Sequence, residues 1–200
     1  MYNIVMNKQI CLATNNKGKL REYREMLAPM GFVIYSPSDL NIDLDVDETG
    51  CDYRENSYLK AKAFRELVPF PVIADDSGLE VLSLDEFPGL RSARFALECG
   101  GYPQAYEELF RRLEGKDRAA RFRCCICYLS EPDAKPLYFE GFCPGYILEA
   151  PHGQNGFGYD PIFHCDEADI DFGVADEETK NKFSHRAKAI AKLRVFLAIS

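Results

Sequence analysis

The chain has 200 residues, of which 46% are hydrophobic and 28% are charged, an ordinary balance for a globular protein with a sizeable core. Its formal net charge of −8 argues against a nucleic-acid-binding protein, because binding to the phosphate backbone usually requires a basic surface. No apolar stretch is as long as a membrane-spanning helix, and residues 1–10 lack the order of a secretory signal peptide. We therefore expect a cytoplasmic protein that binds small molecules, with no membrane and no nucleic acid as partner.

Short apolar runs alternate with helical patterns along the chain, without an internal repeat or a Pro/Ser-rich linker. In chain order, the patterns predict a strand at 10–14, a helix at 19–30, a strand at 32–35, a helix at 55–67, strands at 72–74 and 79–84, a helix at 102–113, strands at 121–129, 137–141 and 146–149, and a helix at 184–198. This alternation is typical of an α/β protein. The lack of a linker predicts a single domain over residues 1–200.

Eight cysteines occur in the chain, and three of them, Cys124, Cys125 and Cys127, fall in one predicted strand. None is followed by a second C-x-x-C or by histidines at the spacing of a zinc site. Because free cysteine is often buried, we expect reduced core thiols rather than a disulfide framework or a metal site.

Two adjacent carboxylates, Asp75 and Asp76, follow the apolar run at residues 72–74 and precede Ser77-Gly78. An apolar run that ends in acids predicts a buried strand whose carboxyl end delivers charge to a ligand site. Two carboxylates there can hold a hard cation such as Mg²⁺, and one of them can orient or deprotonate a water. The alternative is a simple Asp-Asp-Ser-Gly turn between two strands, which the turn preferences of these residues also favour.

Two loops have compositions suited to a nucleotide. Residues 14–19 lie between a predicted strand and helix, where backbone N–H groups and Lys19 can meet an anion, although the Walker A spacing is absent. Residues 153–160 combine glycines, two aromatic residues and an acid, which can cover a base and accept its N–H groups. Each loop can equally be an ordinary surface or packed turn. Ser184 can act as the cap of the last helix.

Seven short motifs occur in one order along the chain. They are Thr14-x-Asn16-x-x-Lys19, Glu48-Thr49-Gly50, Glu55-Asn56-x-x-x-Lys60-Ala61, Ala74-Asp75-Asp76-Ser77-Gly78-Leu79, Pro88-Gly89-x-x-Ser92-Ala93-Arg94, Phe157-Gly158-Tyr159-Asp160-Pro161-x-Phe163 and Ser184-His185-Arg186. From about residue 10 to its end, the chain thereby resembles the inosine/xanthosine triphosphate pyrophosphatase family, also called dITP/XTP diphosphatases. The resemblance implies an elongated α/β fold, with a mixed central sheet flanked by helices and two lobes around a cleft. It also implies a homodimer and Mg²⁺-dependent hydrolysis of deaminated purine nucleoside triphosphates to the monophosphate and pyrophosphate.

The resemblance also implies roles for individual residues. Asp76 matches the proton acceptor and metal ligand of the family, and Glu48 matches an acid near the metal, whereas spacing alone leaves the choice between Asp75 and Asp76 open. The positions that match substrate contacts are Thr14, Asn15, Asn16, Lys17, Gly18, Lys19, Lys60, Ser77, Phe157, Gly158, Tyr159, Asp160, Lys180, His185 and Arg186. Two positions depart from the bacterial pattern, since Asn15 stands where a glycine is common and Cys143 where some members have Trp.

The expected specificity follows from hydrogen-bond types. Hypoxanthine and xanthine present an acceptor at O6 and a donor at N1, whereas adenine presents the reverse pair, so a matched site rejects ATP more strongly than GTP. One alternative is a pyrophosphatase for pyrimidine or methylated nucleotides, although the opening Thr14-x-Asn16-x-x-Lys19 departs from the Ser/Arg-rich opening expected there. Another is a non-catalytic nucleotide sensor, which a fold alone does not exclude.

Overall fold

A computed structural model of the protein describes residues 8–199. Its strands are β1 (Gln9–Leu12), β2 (Val33–Tyr35), β3 (Val72–Val81), β4 (Phe87–Pro88), β5 (Ala119–Leu129), β6 (Leu137–Ile147), β7 (Phe163–Cys165) and β8 (Ile170–Asp171). Its α-helices are α1 (Lys17–Leu27), α2 (Tyr53–Arg65), α3 (Ser92–Glu98), α4 (Tyr102–Arg112), α5 (Glu177–Phe183) and α6 (His185–Ile199). The prediction that residues 1–10 are not a signal peptide concerns mostly residues 1–7, which lie outside the described residues.

The strands form one mixed sheet in the order β2-β1-β3-β5-β6-β7-β8, with β4 paired to β3. Strand β1 runs parallel to both β2 and β3, whereas β3 and β4, β6 and β7, and β7 and β8 are antiparallel. This mixed sheet with its helices confirms the predicted α/β class.

The described chain divides into two compact units. The first comprises residues 8–75, Ile126–Phe139 and 193–199, and the second comprises Asp76–Cys125 and Glu140–Lys192. Each unit has its own hydrophobic cluster, built around Ala61 and Val72 in the first unit and around Leu109 and Phe163 in the second. The single domain predicted from the sequence stays a prediction.

In the acidic segment at residues 42–47, which follows β2, every second side chain contributes to the core of the first unit. Ile42, Leu44 and Val46 pack against the cluster of this unit, while the aspartates between them are exposed. This alternation is the period-two pattern of an extended chain with one buried side. The Ile-Asp-Leu-Asp-Val-Asp order of residues 42–47 is the signal in the sequence that identifies the buried side.

Strand β3 continues through the acid pair, so both interpretations of Asp75 and Asp76, as a strand end or as a turn, are wrong. The strand runs from Val72 to Val81 and is buried at nearly every position. It is extended because its last residues pair with another strand, with Glu80 opposite Pro88. The partner β1, however, reaches only Ile73 in its register, so the acids lie just beyond the end of that neighbour.

Other differences reflect pairing that a local pattern does not contain. The predicted strands 137–141 and 146–149 form one strand, β6, although Pro144 lies within it. Pro144 is exposed, and Gly145 allows β7 to approach closely, since a Cβ there would lie 1.8 Å from the His164 carbonyl oxygen. The sequence patterns also missed β4, α3, β7, β8 and α5.

All eight cysteines are free thiols, but Cys51 is exposed and Cys99 is half-buried, so the predicted core location does not hold for these two. Six of them are buried: Cys11, Cys124, Cys125, Cys127, Cys143 and Cys165. Burial raises the pKa of the Cys11 thiol to about 12, so this group is an inert part of the core. Among residues 8–199, no helix is both long enough and apolar enough to cross a membrane.

Candidate functional site

The loop that follows β1 is organised by the side chain of Asn16. Its Oδ1 accepts hydrogen bonds from the backbone N–H groups of Gly18 (2.9 Å) and Lys19 (3.1 Å), and so caps α1. Thr14 Oγ1 in turn accepts from the N–H of Asn16 at 3.2 Å. Two of the first helical N–H groups are thus used within the loop, and Lys19 provides the charge that an anion would meet. Asn15 and Lys17 are exposed beside them.

Four charged side chains of the first unit form what we call the lysine–carboxylate set: Lys19, Glu48, Lys60 and Asp75. The Lys60 ammonium donates to the Glu48 carboxylate and, at 2.8 Å, to the Asp75 carbonyl oxygen. The Lys19 Nζ lies 3.0 Å from Asp75 Oδ1. Both lysine side chains are only 14% exposed, so these charges interact with little screening by water. The set combines hard anionic oxygens with two ammonium groups.

A tight turn before α2 sets the position of Glu48. The Gly50 N–H donates to Asn56 Oδ1 at 2.8 Å, and a Cβ on Gly50 would lie 2.6 Å from the Cβ of Glu55. Asp52 caps α2 by accepting from the Glu55 N–H at 2.8 Å, while the Glu55 carboxylate accepts from the N–H of Cys51 at 2.7 Å. Glu55 and Asn56 thus build the turn that precedes Lys60.

In the second unit, Phe157, Asp160, Lys180 and Arg186 form a second group, the aromatic–cation set. The Lys180 Nζ lies 4.3 Å and the Arg186 guanidinium carbon 5.7 Å from the centre of the Phe157 ring. Arg186 is 1% exposed and Lys180 is 5% exposed, so both cations are held away from bulk water. An aromatic ring flanked by two buried cations can bind a flat ring that carries hydrogen-bond acceptors.

Asp160 holds the loop that carries Phe157. Its Oδ2 accepts from the Phe157 N–H at 2.7 Å and from the Lys180 ammonium at 2.6 Å. Gly156 is required there, because its φ is +75° and a Cβ would lie 2.2 Å from the same oxygen. This oxygen of Asp160 therefore organises the loop, whereas the sequence predicted that the carboxylate contacts the substrate, which stays a prediction.

Two tyrosines hold the loop 153–160: Tyr106 of α4, which was not predicted as part of the site, and Tyr159, whose predicted contact with the substrate stays a prediction. The Tyr106 hydroxyl donates to the Gly158 carbonyl, and the Tyr159 hydroxyl donates to the Ser92 carbonyl at 2.8 Å. Burial and then the Asp160 carboxylate raise the pKa of Tyr106 to about 12, and burial raises that of Tyr159, so both remain neutral donors. The only signal in the sequence is the i, i+4 spacing of Tyr102 and Tyr106, which shows a shared helix face and no more.

The remaining predicted residues of the second unit lie on β3 and α6. Asp76 is 6% exposed, and its Oδ1 accepts from the Ser77 N–H at 3.0 Å. The Ser77 hydroxyl accepts from the Arg186 guanidinium at 2.9 Å, which joins Ser77 to the aromatic–cation set. His185 is buried and its ring stacks on Phe122 at 4.7 Å, so it packs in the core of this unit, and its predicted contact with the substrate stays a prediction.

The structure therefore brings the predicted site residues together in two groups. Lys19, Lys60 and Glu48 meet in the first unit, and Ser77, Phe157, Asp160, Lys180 and Arg186 meet in the second. The predicted metal ligands Glu48 and Asp76 belong to different units. Within residues 8–199, no cluster of three or more His, Cys, Asp or Glu side chains has the arrangement of a metal site.

Comparisons with known proteins agree with the motifs. A sequence model of the Ham1 family matches residues 10–196. The dITP/XTP pyrophosphatase of Halalkalibacterium halodurans is 42% identical over 193 residues, covering 95% of this chain and 99% of that protein. The dITP/XTP pyrophosphatase of Bacillus subtilis is 39% identical over 197 residues, covering 97% and 99%.

Solved structures give the same result. The Staphylococcus aureus Ham1 protein matches with a TM-score of 0.83 and 39% identity, covering 96% of this chain and 98% of that one. A HAM1 protein from Coxiella burnetii matches with a TM-score of 0.85 and 32% identity, covering 96% and 99%. These matches confirm the family resemblance inferred from the seven motifs. The chain belongs to the Ham1 family.

Proposed function

We propose that the protein hydrolyses deaminated purine nucleoside triphosphates, namely ITP, dITP and XTP, to the nucleoside monophosphate and pyrophosphate. The observation that carries the proposal is the pair of groups described above, one suited to a polyanion and the other to a flat ring with acceptors. The relatives named dITP/XTP pyrophosphatase, which match nearly the whole chain, support the same reaction.

The lysine–carboxylate set handles the phosphates in this proposal. A triphosphate carries about four negative charges near neutral pH, so catalysis depends mainly on neutralising and positioning it. Lys19 and Lys60 are ammonium groups with little exposure and can each turn from a carboxylate towards a phosphate oxygen. The set therefore offers positive charge without a strongly basic surface.

We propose Mg²⁺ as the cofactor, with Glu48 and Asp76 as its protein ligands. The donor set fits, because carboxylate oxygens are the ligands that Mg²⁺ prefers and the Glu48 carboxylate already accepts a cationic group, the Lys60 ammonium. Bound Mg²⁺ would supply charge neutralisation and polarisation of phosphate oxygens. Loss of turnover on chelation, with recovery on added Mg²⁺, is the expected result.

Asp76 is the proposed catalytic residue. Its carboxylate orients a water for attack on the α-phosphorus and takes the proton of that water. A new P–O bond forms at the α-phosphorus as the bond to the bridging oxygen breaks and pyrophosphate leaves. Asp75, whose Oδ1 faces Lys19, is assigned to holding that lysine.

The variant Asp76→Asn tests this assignment. Because general-base assistance contributes about 10²–10⁴-fold, we expect kcat for ITP to fall by that factor. Asp85→Asn is a matched control, since it removes the same charge at an exposed position of the same unit, and asparagine tolerates the positive φ of 54° found there. Near-normal turnover by Asp76→Asn would remove Asp76 from the mechanism.

Base selection is assigned to the aromatic–cation set. A purine ring can stack against Phe157 while Lys180 or Arg186 donates to the O6 acceptor of hypoxanthine or xanthine. Adenine would instead direct its 6-amino group, a donor, at these donors and leave them unsatisfied. We therefore expect discrimination against ATP to be greater than against GTP, whose base has the same O6 and N1–H.

The decisive experiment measures Mg²⁺-dependent turnover of ITP, XTP, dITP, GTP and ATP, with identification of the products. Pyrophosphate together with a nucleoside monophosphate supports the proposal, and similar kcat/KM for ITP and dITP is expected. Stepwise release of orthophosphate, or equal kcat/KM for ATP and ITP, contradicts it. Binding of ITP without any turnover would indicate a nucleotide sensor instead.

We propose that in the cell the reaction clears deaminated nucleotides from the cytoplasmic nucleotide pool. We also propose a homodimer as the working form. Sedimentation equilibrium tests the dimer directly, since the chain mass of 22.7 kDa separates monomer from dimer.

A further inference from the structure

The loop formed by residues 153–160, which carries Phe157, is attached to residues 171–175 of the same unit. The Asn155 N–H donates to the Gly173 carbonyl at 2.8 Å, and the Asn155 side-chain amide donates to the Ala175 carbonyl at 3.1 Å. The two backbones touch at a pair of glycines, because a Cβ on Gly153 would lie 1.9 Å from the Gly173 carbonyl oxygen. The position of Phe157 therefore depends on what keeps these two segments together.

An Asp–His pair lies at the start of this attachment. His152 precedes Gly153, and its Nδ1 lies 2.6 Å from Asp171 Oδ2. The other oxygen of Asp171 lies 2.7 Å from Nδ1 of His164. Although burial raises the pKa of Asp171, the hydrogen bonds from His152 and His164 outweigh it and hold this pKa below its usual value. Asp171 is thus an ionised acceptor, and both imidazoles donate their Nδ1–H to it.

The two histidines differ in their surroundings. The His164 ring is 14% exposed, stacks on Tyr146 at 4.5 Å and has Asp169 Oδ1 at 3.4 Å from its Nε2. The His152 ring is 63% exposed, and its backbone N–H donates to the Pro161 carbonyl at 2.8 Å, beyond the other end of the loop. His164 therefore orients Asp171 from the packed side, and Asp171 holds the loop through the less enclosed His152.

We infer that His152 and Asp171 are positioning residues that fix the loop 153–160 and thereby set the affinity for the base of the nucleotide. Neither residue belongs to the lysine–carboxylate set or the aromatic–cation set. The consequence for base affinity rests on the proposed function, whereas the attachment of the loop does not. Loss of the pair leaves the Asn155 contacts in place but removes the side-chain link beside the glycine contact.

The first measurement is amide hydrogen exchange of Asn155 and Phe157 in the substrate-free protein. In His152→Ala and in Asp171→Asn, both amides are expected to exchange about three- to tenfold faster, the factor that one hydrogen bond contributes. His152→Asn is the conservative variant, because the asparagine Nδ2 can take the place of the imidazole Nδ1 as donor, and exchange close to that of the unchanged protein is expected. Asp166→Asn, which removes an exposed acid directly after β7, is the charge control.

The second measurement separates base affinity from phosphate chemistry. In the two disruptive variants, KM for ITP is expected to rise about three- to tenfold, while kcat and inhibition by tripolyphosphate, which has no base, stay unchanged. Unchanged amide exchange in both variants overturns the inference, as does an equal loss of kcat and of tripolyphosphate inhibition. If the unchanged protein does not hydrolyse ITP, the proposed function fails, and the exchange result still decides whether the pair holds the loop.

Discussion

The two groups of site residues differ in what surrounds their charges. In the lysine–carboxylate set of the first unit, the ammonium groups of Lys19 and Lys60 face carboxylate and carbonyl oxygens. In the aromatic–cation set of the second unit, Lys180 and Arg186 lie over the ring of Phe157. The first arrangement suits small hard ions and polyanions, which are attracted by charge alone. The second suits a flat ring, which needs contact area as well as charge.

This contrast leads to a general expectation about how substitutions in each set affect activity. Changes in the first set are expected to affect every triphosphate alike, because all share the phosphates. Changes in the second set are expected to depend on the base and to leave a base-free polyphosphate unaffected. Any variant that breaks this division would show that the two sets are not specialised as we propose.

The largest effect is expected from Lys60→Met, which removes the ammonium group between Glu48 and the Asp75 carbonyl. Removal of one preorganised charge contact at a reacting group typically costs about 10²–10³-fold, so kcat/KM should fall by that factor for ITP, XTP and GTP alike. Steady-state kinetics with the three nucleotides measures the effect. Lys62→Met, an exposed position on the same helix, is the matched control and should change little.

A loss confined to one base would contradict this assignment of Lys60. A fall in thermal stability that accounts for all the lost activity would do the same, because Lys60 would then only pair with Glu48 to hold the turn before α2. Melting curves of the variant and its control, recorded with the kinetics, separate these outcomes.

The next effect in size is expected from Phe157→Ala. Stacking of a base on an aromatic side chain contributes about 1–3 kcal/mol, so KM for ITP should rise by about fivefold to 150-fold. Inhibition by tripolyphosphate should not change, and the preference for ITP over ATP should shrink because the ring no longer aligns the base. Phe142→Ala removes a ring that is 36% exposed on β6 and serves as the control. An equal rise in the tripolyphosphate inhibition constant would show that Phe157 does not act on the base.

Contacts within the two sets could be predicted from the sequence where they join residues close together in the chain. Contacts between residues far apart in the chain could not. Phe157 and Asp160 belong to one motif, and the turn that joins them was expected from the glycines around them. The contact of Lys60 with the Asp75 carbonyl was not predicted, because it requires α2 to pack beside β3. The same limit explains the strand through Asp75 and Asp76, since the sheet neighbours of β3 are β1 and β5, which are distant from it in the chain.

The residues that hold the loops were the hardest to predict. The Asn16 cap follows from local rules for helix starts, whereas the Tyr106 contact with Gly158 joins residues far apart in the chain. His152 and Asp171 carry no motif at all, and only the antiparallel pairing of β7 with β8 places Asp171 beside His164. Most members of the two sets therefore lie in the motifs, whereas the supporting contacts between residues distant in the chain do not follow from the sequence.

A smaller effect is expected from a substitution at Gly141 of β6. This residue lies against the start of α6, the helix that carries Arg186 of the aromatic–cation set. A Cβ on Gly141 would lie 2.0 Å from the His185 carbonyl oxygen and 2.6 Å from the Ala189 nitrogen. Gly141→Ala should therefore push the start of α6 away, costing about 1–3 kcal/mol of stability, and displace Arg186, which follows His185. Chemical denaturation and KM for ITP measure the two consequences.

Gly115→Ala provides the comparison for this variant. Gly115 has a φ of +70° with no atom near the added Cβ, so only backbone strain of about 1 kcal/mol is expected and KM should be unchanged. If both variants lost the same stability and neither changed KM, close packing of β6 against α6 would not be what positions Arg186.

The smallest effect concerns a charged pair of the first unit outside the lysine–carboxylate set. The Asp39 carboxylate accepts from the Ser36 N–H and hydroxyl, both at 2.7 Å, and from Arg24 at 2.6 Å. These hydrogen bonds, those of Ser36 first, hold the pKa of Asp39 below its usual value. Since the folded pKa is lower than the unfolded one of about 3.9, the stabilisation is complete above about pH 5 and is lost as the pH falls through the folded pKa.

Asp39→Asn should accordingly lower Tm by about 1–2 °C near neutral pH, a small value because the Asp39 side chain is 41% exposed and its charge is screened by water. The difference in Tm from the unchanged protein should shrink towards zero below about pH 4, and a difference that grew in acid would contradict the sign. Asp43→Asn, which removes the same charge at an exposed position of the same unit, is the charge control. Turnover of ITP should be unchanged in both variants, because the Asp39 carboxylate pairs with Arg24 and Ser36 and belongs to neither set of site residues.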